Sequence, residues 1–157
     1  MSEEQTKIAI IASKGTLDMA YPPLILASAA SALDMEAQIF FTFYGLNIIH
    51  KERMNNLKIF PHGNTGMPGP FQGFLGVMPG MVGMATMMMK GTMKKHNVLP
   101  IPKLIEICQM AEVRMIACQM TIDLFGMKQS DFIEGIEFGG AAMFLEFAEK
   151  SKISLFV

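Results

Sequence analysis

The sequence predicts an α/β fold: a mostly parallel central sheet with helices on both faces. Two observations carry that expectation. Short apolar runs recur along the chain and read as strands buried on both sides, and helical stretches separate one run from the next. At 157 residues the chain fits one domain, residues 1–157, large enough to bury a core without cross-links.

The first run is KIAIIA, residues 7–12, followed by the turn residues Ser13, Lys14, Gly15 and Thr16; it reads as a strand and a loop. From about residue 19 to 33, Leu24, Ile25, Leu26, Ala29 and Ala30 favour a helix, with Pro22 and Pro23 tolerated in its opening turn. AQIFFTF, residues 37–43, is a second strand closed by Tyr44 and Gly45, and residues 46–54 look helical. After residues 57–60 the composition changes: no charged residue occurs between Gly63 and Met89, where Gly, Met, Pro and Phe dominate. Residues 101–113 form a helix opened by Pro102, with Leu104, Ile105, Cys108 and Ala111 sharing a face. A strand over 114–118 follows, then a short helix capped by Thr121 and running to about Met127. A tight turn at 138–140, a helix over 141–149 and a strand over 153–157 that ends the chain inside the sheet complete the pattern.

Composition narrows the function classes. Apolar residues make up 51% and charged residues 17%, which is globular rather than disordered. A net charge of −1 with no basic stripe gives counterion release little to work with, so nucleic acid is not an expected partner. The polar, acidic start lacks the positive flank and apolar run of a secretory signal, which predicts a cytoplasmic protein. Cys108 and Cys118 are then thiols rather than a disulfide framework. There is no CxxC pair, and His50, His62 and His96 lack ligand spacing; no metal is expected, and each histidine reads as a surface or loop residue.

In open parallel sheets ligands bind beyond the carboxyl ends of the strands, here residues 13–18, 44–45 and 118–121. Cys118 ends its strand three residues before Thr121, so its sulfur lies near unpaired helical N–H groups and the positive dipole end. That setting favours the thiolate, the reactive form of cysteine. The competing reading makes Cys118 a small buried hydrophobe at a strand end. Cys108, mid-helix among apolar residues, reads as core. Asp123 reads as a helix-start charge turned away from the sulfur, since a facing carboxylate would oppose ionisation of the thiol.

Residues 116–127, IACQMTIDLFGM, resemble the signature of the DsrE/DsrF/DsrH-like sulfur-relay family, in particular its stand-alone DsrE-like branch, sometimes labelled peroxiredoxin family. Residues 13–30 (SKGTLDMAYPPLILASAA) are similar to that family's first strand, loop and helix, residues 40–46 (FFTFYGL) to its second strand end, and residues 139–157 to its closing helix and strand. The likeness covers nearly the whole chain in order, and Ala-Cys-Xaa-Met with Asp123 downstream is its most specific part. Thr121 and Phe125 depart from it, standing where Ser and Met are commoner. The resemblance implies a three-layer α/β fold, a homo-oligomer, and a sulfur carrier or sulfurtransferase whose reactive cysteine is Cys118. That cysteine would accept sulfane sulfur or thiosulfonate and pass it to a partner thiol, the partners being TusA-like or rhodanese-like proteins. Such exchange runs through a cysteine persulfide and requires no metal or organic cofactor. On this reading Gln119, Met120 and Thr121 steady the anion through their N–H groups, and Thr16, Tyr44 and Asn64 line the sulfur site.

Within the Met/Gly/Pro-rich insert, about residues 61–95, the charge-free run from Gly63 to Met89 is long enough to span a bilayer if helical. Pro68, Pro70 and Pro79 with frequent glycines would leave backbone groups unsatisfied in lipid, so a subunit or partner interface fits better than membrane contact, with buried core as a third reading. Residues 81–89, followed by Lys90, Lys94 and Lys95, look helical, and their Met side chains suit an adaptable apolar surface. Packed over the strand ends, residues 62–79 would roof the Cys118 site.

Two further readings stand beside the sulfur carrier. One is a peroxiredoxin-like thiol redox protein, weakened by the lack of an exposed resolving cysteine. The other is a non-catalytic oligomeric binding module that works through its Met-rich surface. No GxGxxG follows the first strand, which leaves dinucleotide binding unsupported.

Overall fold

A computed structural model of the chain describes residues 5–60 and 77–157. The strands are β1 (Lys7–Ala12), β2 (Glu36–Phe41), β3 (Arg114–Cys118), β4 (Glu137–Gly139) and β5 (Ile153–Phe156). They form one sheet in the order β4-β3-β2-β1-β5, and every pairing is parallel. The α/β expectation therefore holds, and the sheet is parallel throughout.

Successive side chains of a strand point to opposite faces, and here both faces are apolar. Ile8, Ile10, Ala12, Ile39, Phe41, Met115 and Ala117 form one layer with helices α1 (Leu17–Ala32) and α3 (Ile101–Met110), which contribute Ala20, Leu24, Ala27, Leu104, Ile105 and Cys108. The residues between them, Ala9, Phe40, Ile116 and Cys118, face away and pack with Phe144 and Phe147 from a helix over Ala141–Ala148. Three layers result.

Several local expectations are corrected. The first helix starts at Leu17 with Thr16 as its N-cap, so Pro22 and Pro23 lie inside it and not in its opening turn. Burial of Ala20, Tyr21, Leu24 and Ala27 against the sheet outweighs the two N–H groups that these prolines forgo. Residues 46–54 are not an α-helix. A 3-10 helix spans Phe43–Ile48, after which His50 bridges Phe132 in antiparallel fashion. The cause is close packing: Phe43 takes a positive φ of 46°, and a Cβ on Gly45 would collide with the Ala12 carbonyl. A Cβ on Gly15 would in turn collide with the Tyr44 carbonyl, so the loop after β1 and the turn after β2 meet backbone to backbone. His50, read as a surface or loop residue, is buried.

The turn expected at 138–140 is largely strand β4, paired to β3 with Cys118 opposite Gly139. Two adjacent glycines read locally as a turn; pairing with β3 makes this segment extended, and the Arg114 guanidinium pins it by donating to both Glu137 carboxylate oxygens at 2.7 and 2.8 Å. The last strand joins the sheet as expected, at its edge beside β1.

Helix α2 (Met81–Lys95) realises the helical look of residues 81–89 and extends it. It buries Ala85 and Thr86 and exposes Met84, Met87 and Met88. The Thr86 hydroxyl ties it to the preceding segment, accepting the Ile59 N–H at 3.0 Å and donating to the Val82 carbonyl at 2.7 Å. Among the described residues no helix is long and apolar enough to cross a membrane. Most of the 62–79 roof lies outside the described residues.

Candidate functional site

Cys118 is the last residue of β3 and the N-cap of α4 (Gln119–Leu124). Thr121, expected as that cap, lies inside the helix instead, because the strand runs into the helix with no intervening turn. The cysteine faces the Phe144 and Phe147 side of the sheet and is 4% exposed. Its cover is specific. The helix over Ala141–Ala148, α5, begins two residues after Gly139, and a Cβ on Gly139 would run into the Met143 sulfur. Met143 therefore lies over the residue opposite Cys118 and packs on the same apolar cluster. The sequence flagged Gly139 only as a turn residue, and nothing local pointed to Met143.

The neighbours of Cys118 in α4 hold structural bonds. Thr121 is 0% exposed; its hydroxyl accepts the Phe43 N–H at 3.3 Å and shares a hydrogen bond with the Thr42 hydroxyl at 3.2 Å. The Gln119 amide donates to Asp123 at 2.8 Å and accepts from Gln129 at 2.8 Å. Asp123 is the fifth residue of α4, past the first turn, so its carboxylate answers Gln119 and is not a helix-start charge. Met120 is exposed. Phe125, one of the departures from the family pattern, stacks on Tyr44 with centroids 5.5 Å apart and meets Phe43 edge-on at 6.5 Å.

Thr16 and Tyr44 come together, but apart from Cys118. Both line a cleft of about 720 Å³ whose other walls include Lys14, Asn47, Arg53, Lys58 and Phe60; Cys118 does not line it. Asn64 lies outside the described residues. Cys108 is fully buried, its thiol donates to the Leu24 carbonyl at 3.4 Å, and burial pushes it up to about 11. Among the described residues no group of three His, Cys, Asp or Glu side chains is arranged to hold a metal ion.

A sequence model of the DsrE/DsrF/DrsH-like family matches residues 4–156. The chain belongs to that family. Two curated relatives match the chain over nearly its full length. The chain is 55% identical over 160 residues to the protein named sulfur carrier protein DsrE2 of Allochromatium vinosum, across 98% of this chain and 99% of that one. It is 34% identical over 167 residues to the uncharacterized protein YrkE of Bacillus subtilis, across the full length of both. Among solved structures, the ychN protein from E. coli aligns with a TM-score of 0.54 at 12% identity, over 98% of this chain and 100% of that chain, a likeness of fold.

Proposed function

We propose that this single-domain chain is a sulfur carrier in which Cys118 accepts sulfane sulfur and passes it to a partner thiol. The observation that carries the reading is the position of Cys118, at the carboxyl end of a parallel strand and at the junction with α4, within the segment that most resembles the family signature. The name borne by the 55%-identical relative supports the same role.

The chemistry is displacement at sulfur. A Cys118 thiolate attacks the outer sulfur of a donor persulfide; the new S–S bond forms as the old one breaks, and the donor leaves as a thiolate. With thiosulfate the leaving group is sulfite. An acceptor thiolate then attacks the outer sulfur of the Cys118 persulfide and releases the Cys118 thiolate. Protein partners of the TusA-like or rhodanese-like kind, and assembly of the chain into a homo-oligomer, belong to this proposal.

A thiol 4% exposed needs its cover to give way before a second sulfur reaches it. Met143 suits that part, because an unbranched thioether side chain re-packs at low cost. Intact-mass analysis after incubation with thiosulfate or polysulfide tests the reading. The wild type and Cys108→Ser gain one sulfur, Cys118→Ser does not, and Met143→Ala loads faster than wild type. Sulfur gain that survives in Cys118→Ser ends the proposal.

A further inference from the structure

Thr16 and Tyr44 line a cleft at the strand ends, apart from Cys118. Its volume of about 720 Å³ lies within the range of small-molecule sites. It opens at the loop after β1 and the turn after β2, the strand ends where parallel sheets bind ligands.

Its lining is charged one way. Lys14, Arg53 and Lys58 stand against one carboxylate, Glu52, in a chain whose net charge is −1. Among the described residues no ion pair engages any of these four groups. Arg53 is steered by Asn47, whose side-chain oxygen accepts from the guanidinium at 2.9 Å. The N-terminus of the 16-residue α1 begins at the same wall, its Thr16 cap making no side-chain bond, and adds positive potential.

The walls are built rather than incidental. The Leu17 N–H donates to the Lys58 carbonyl at 3.0 Å, the Ile59 N–H to the Thr86 hydroxyl at 3.0 Å, and Gly15 lies against the Tyr44 carbonyl. Beside the cations the lining offers apolar surface, the exposed Tyr44 ring and the half-buried Val82, while Leu57 and Ile59 are buried in the wall. A bare inorganic anion would leave that apolar lining wet, and an uncharged apolar molecule would leave the cations unanswered.

We propose that this cleft binds a small organic anion, its oxyanion head held by Lys14, Arg53 and Lys58 and its apolar body laid on Tyr44 and Val82. The site is separate from Cys118 and does not rest on the sulfur-carrier reading.

The test is an NMR titration of the full chain with 2-naphthalenesulfonate, 2-naphthol and sodium sulfate. The sulfonate is expected to shift amides of residues 14–17, 44–47 and 53–60. 2-Naphthol and sulfate each bind at least about ten-fold more weakly, and added salt weakens the sulfonate alone. The double variant Lys14→Glu/Lys58→Glu binds the sulfonate at least about ten-fold more weakly, whereas Lys94→Glu, which lines the neighbouring cleft beside Tyr21, changes it less than about two-fold. Cys118→Ser binds as wild type does. No binding, equal binding of 2-naphthol or of sulfate, shifts confined to other residues, or a double variant that binds like wild type while remaining folded would each overturn the assignment.

Discussion

Replacing Thr121 by Val keeps the shape of a fully buried side chain and deletes its hydroxyl. In the native protein that oxygen accepts the Phe43 N–H at 3.3 Å and shares a hydrogen bond with Thr42 at 3.2 Å, joining the start of α4 to the end of β2. Each bond contributes about 0.5–1.5 kcal/mol net, so Thr121→Val is expected to cost about 2 kcal/mol. For a domain of this size that is roughly 4–8 °C in Tm, read by circular dichroism melting and checked by urea unfolding. Thr121→Ser retains the hydroxyl and loses one methyl group, costing about 1 kcal/mol. The expected order of Tm is therefore wild type, Ser, Val, with sulfur loading of Cys118 preserved in all three. A Val variant that melts like wild type, or that keeps its Tm and loses loading, would refute the assignment of Thr121 as a clasp.

Cys108, with its thiol pushed up to about 11, is about one part in a thousand ionised at pH 8, so iodoacetamide at that pH is expected to spare it in the folded protein and label it in urea; peptide mapping that finds Cys108 labelled in the folded state refutes this. Gly45→Ala places a methyl group against the Ala12 carbonyl and should cost at least about 2 kcal/mol, whereas Gly91→Ala, in open space on α2, should add about 0.5–1 kcal/mol, both by urea unfolding. Stability should also fall in two steps as pH drops. Burial, helped by Arg53, lowers the His50 imidazole, which accepts the Glu52 N–H. The unfolded chain therefore takes up that proton first, and stability complete above the ordinary His value of 6.5 declines below it. The Arg114 hydrogen bonds hold the Glu137 carboxyl below its ordinary value of 4.5, so its contribution is present above that pH and is lost as pH falls through the lowered value. Urea midpoints that stay constant from pH 8 to pH 3, or a first step that persists in His50→Phe, would contradict this account.

What the sequence determined by itself was local. KIAIIA and the run over residues 114–118 are strands in the structure at those bounds, because after the opening Lys7 and Arg114 they are continuously apolar, which suits a strand covered on both sides. The junction of strand and helix at Cys118 was also legible, within the family-like segment. Tertiary structure decided what each of these residues meets. The Glu-Phe-Gly-Gly segment became strand through pairing with β3, and the last strand crossed to the far edge beside β1. Residues 46–54 lost their helix to the backbone contact between Gly45 and Ala12. Cys118 came to lie beneath α5 and Met143, while Thr16 and Tyr44 opened onto a different cleft. A residue's preference for strand or helix depends on its own side chain and close neighbours, whereas the face it turns to solvent depends on strand order and on which helix crosses above, and those follow from contacts among residues far apart in the chain.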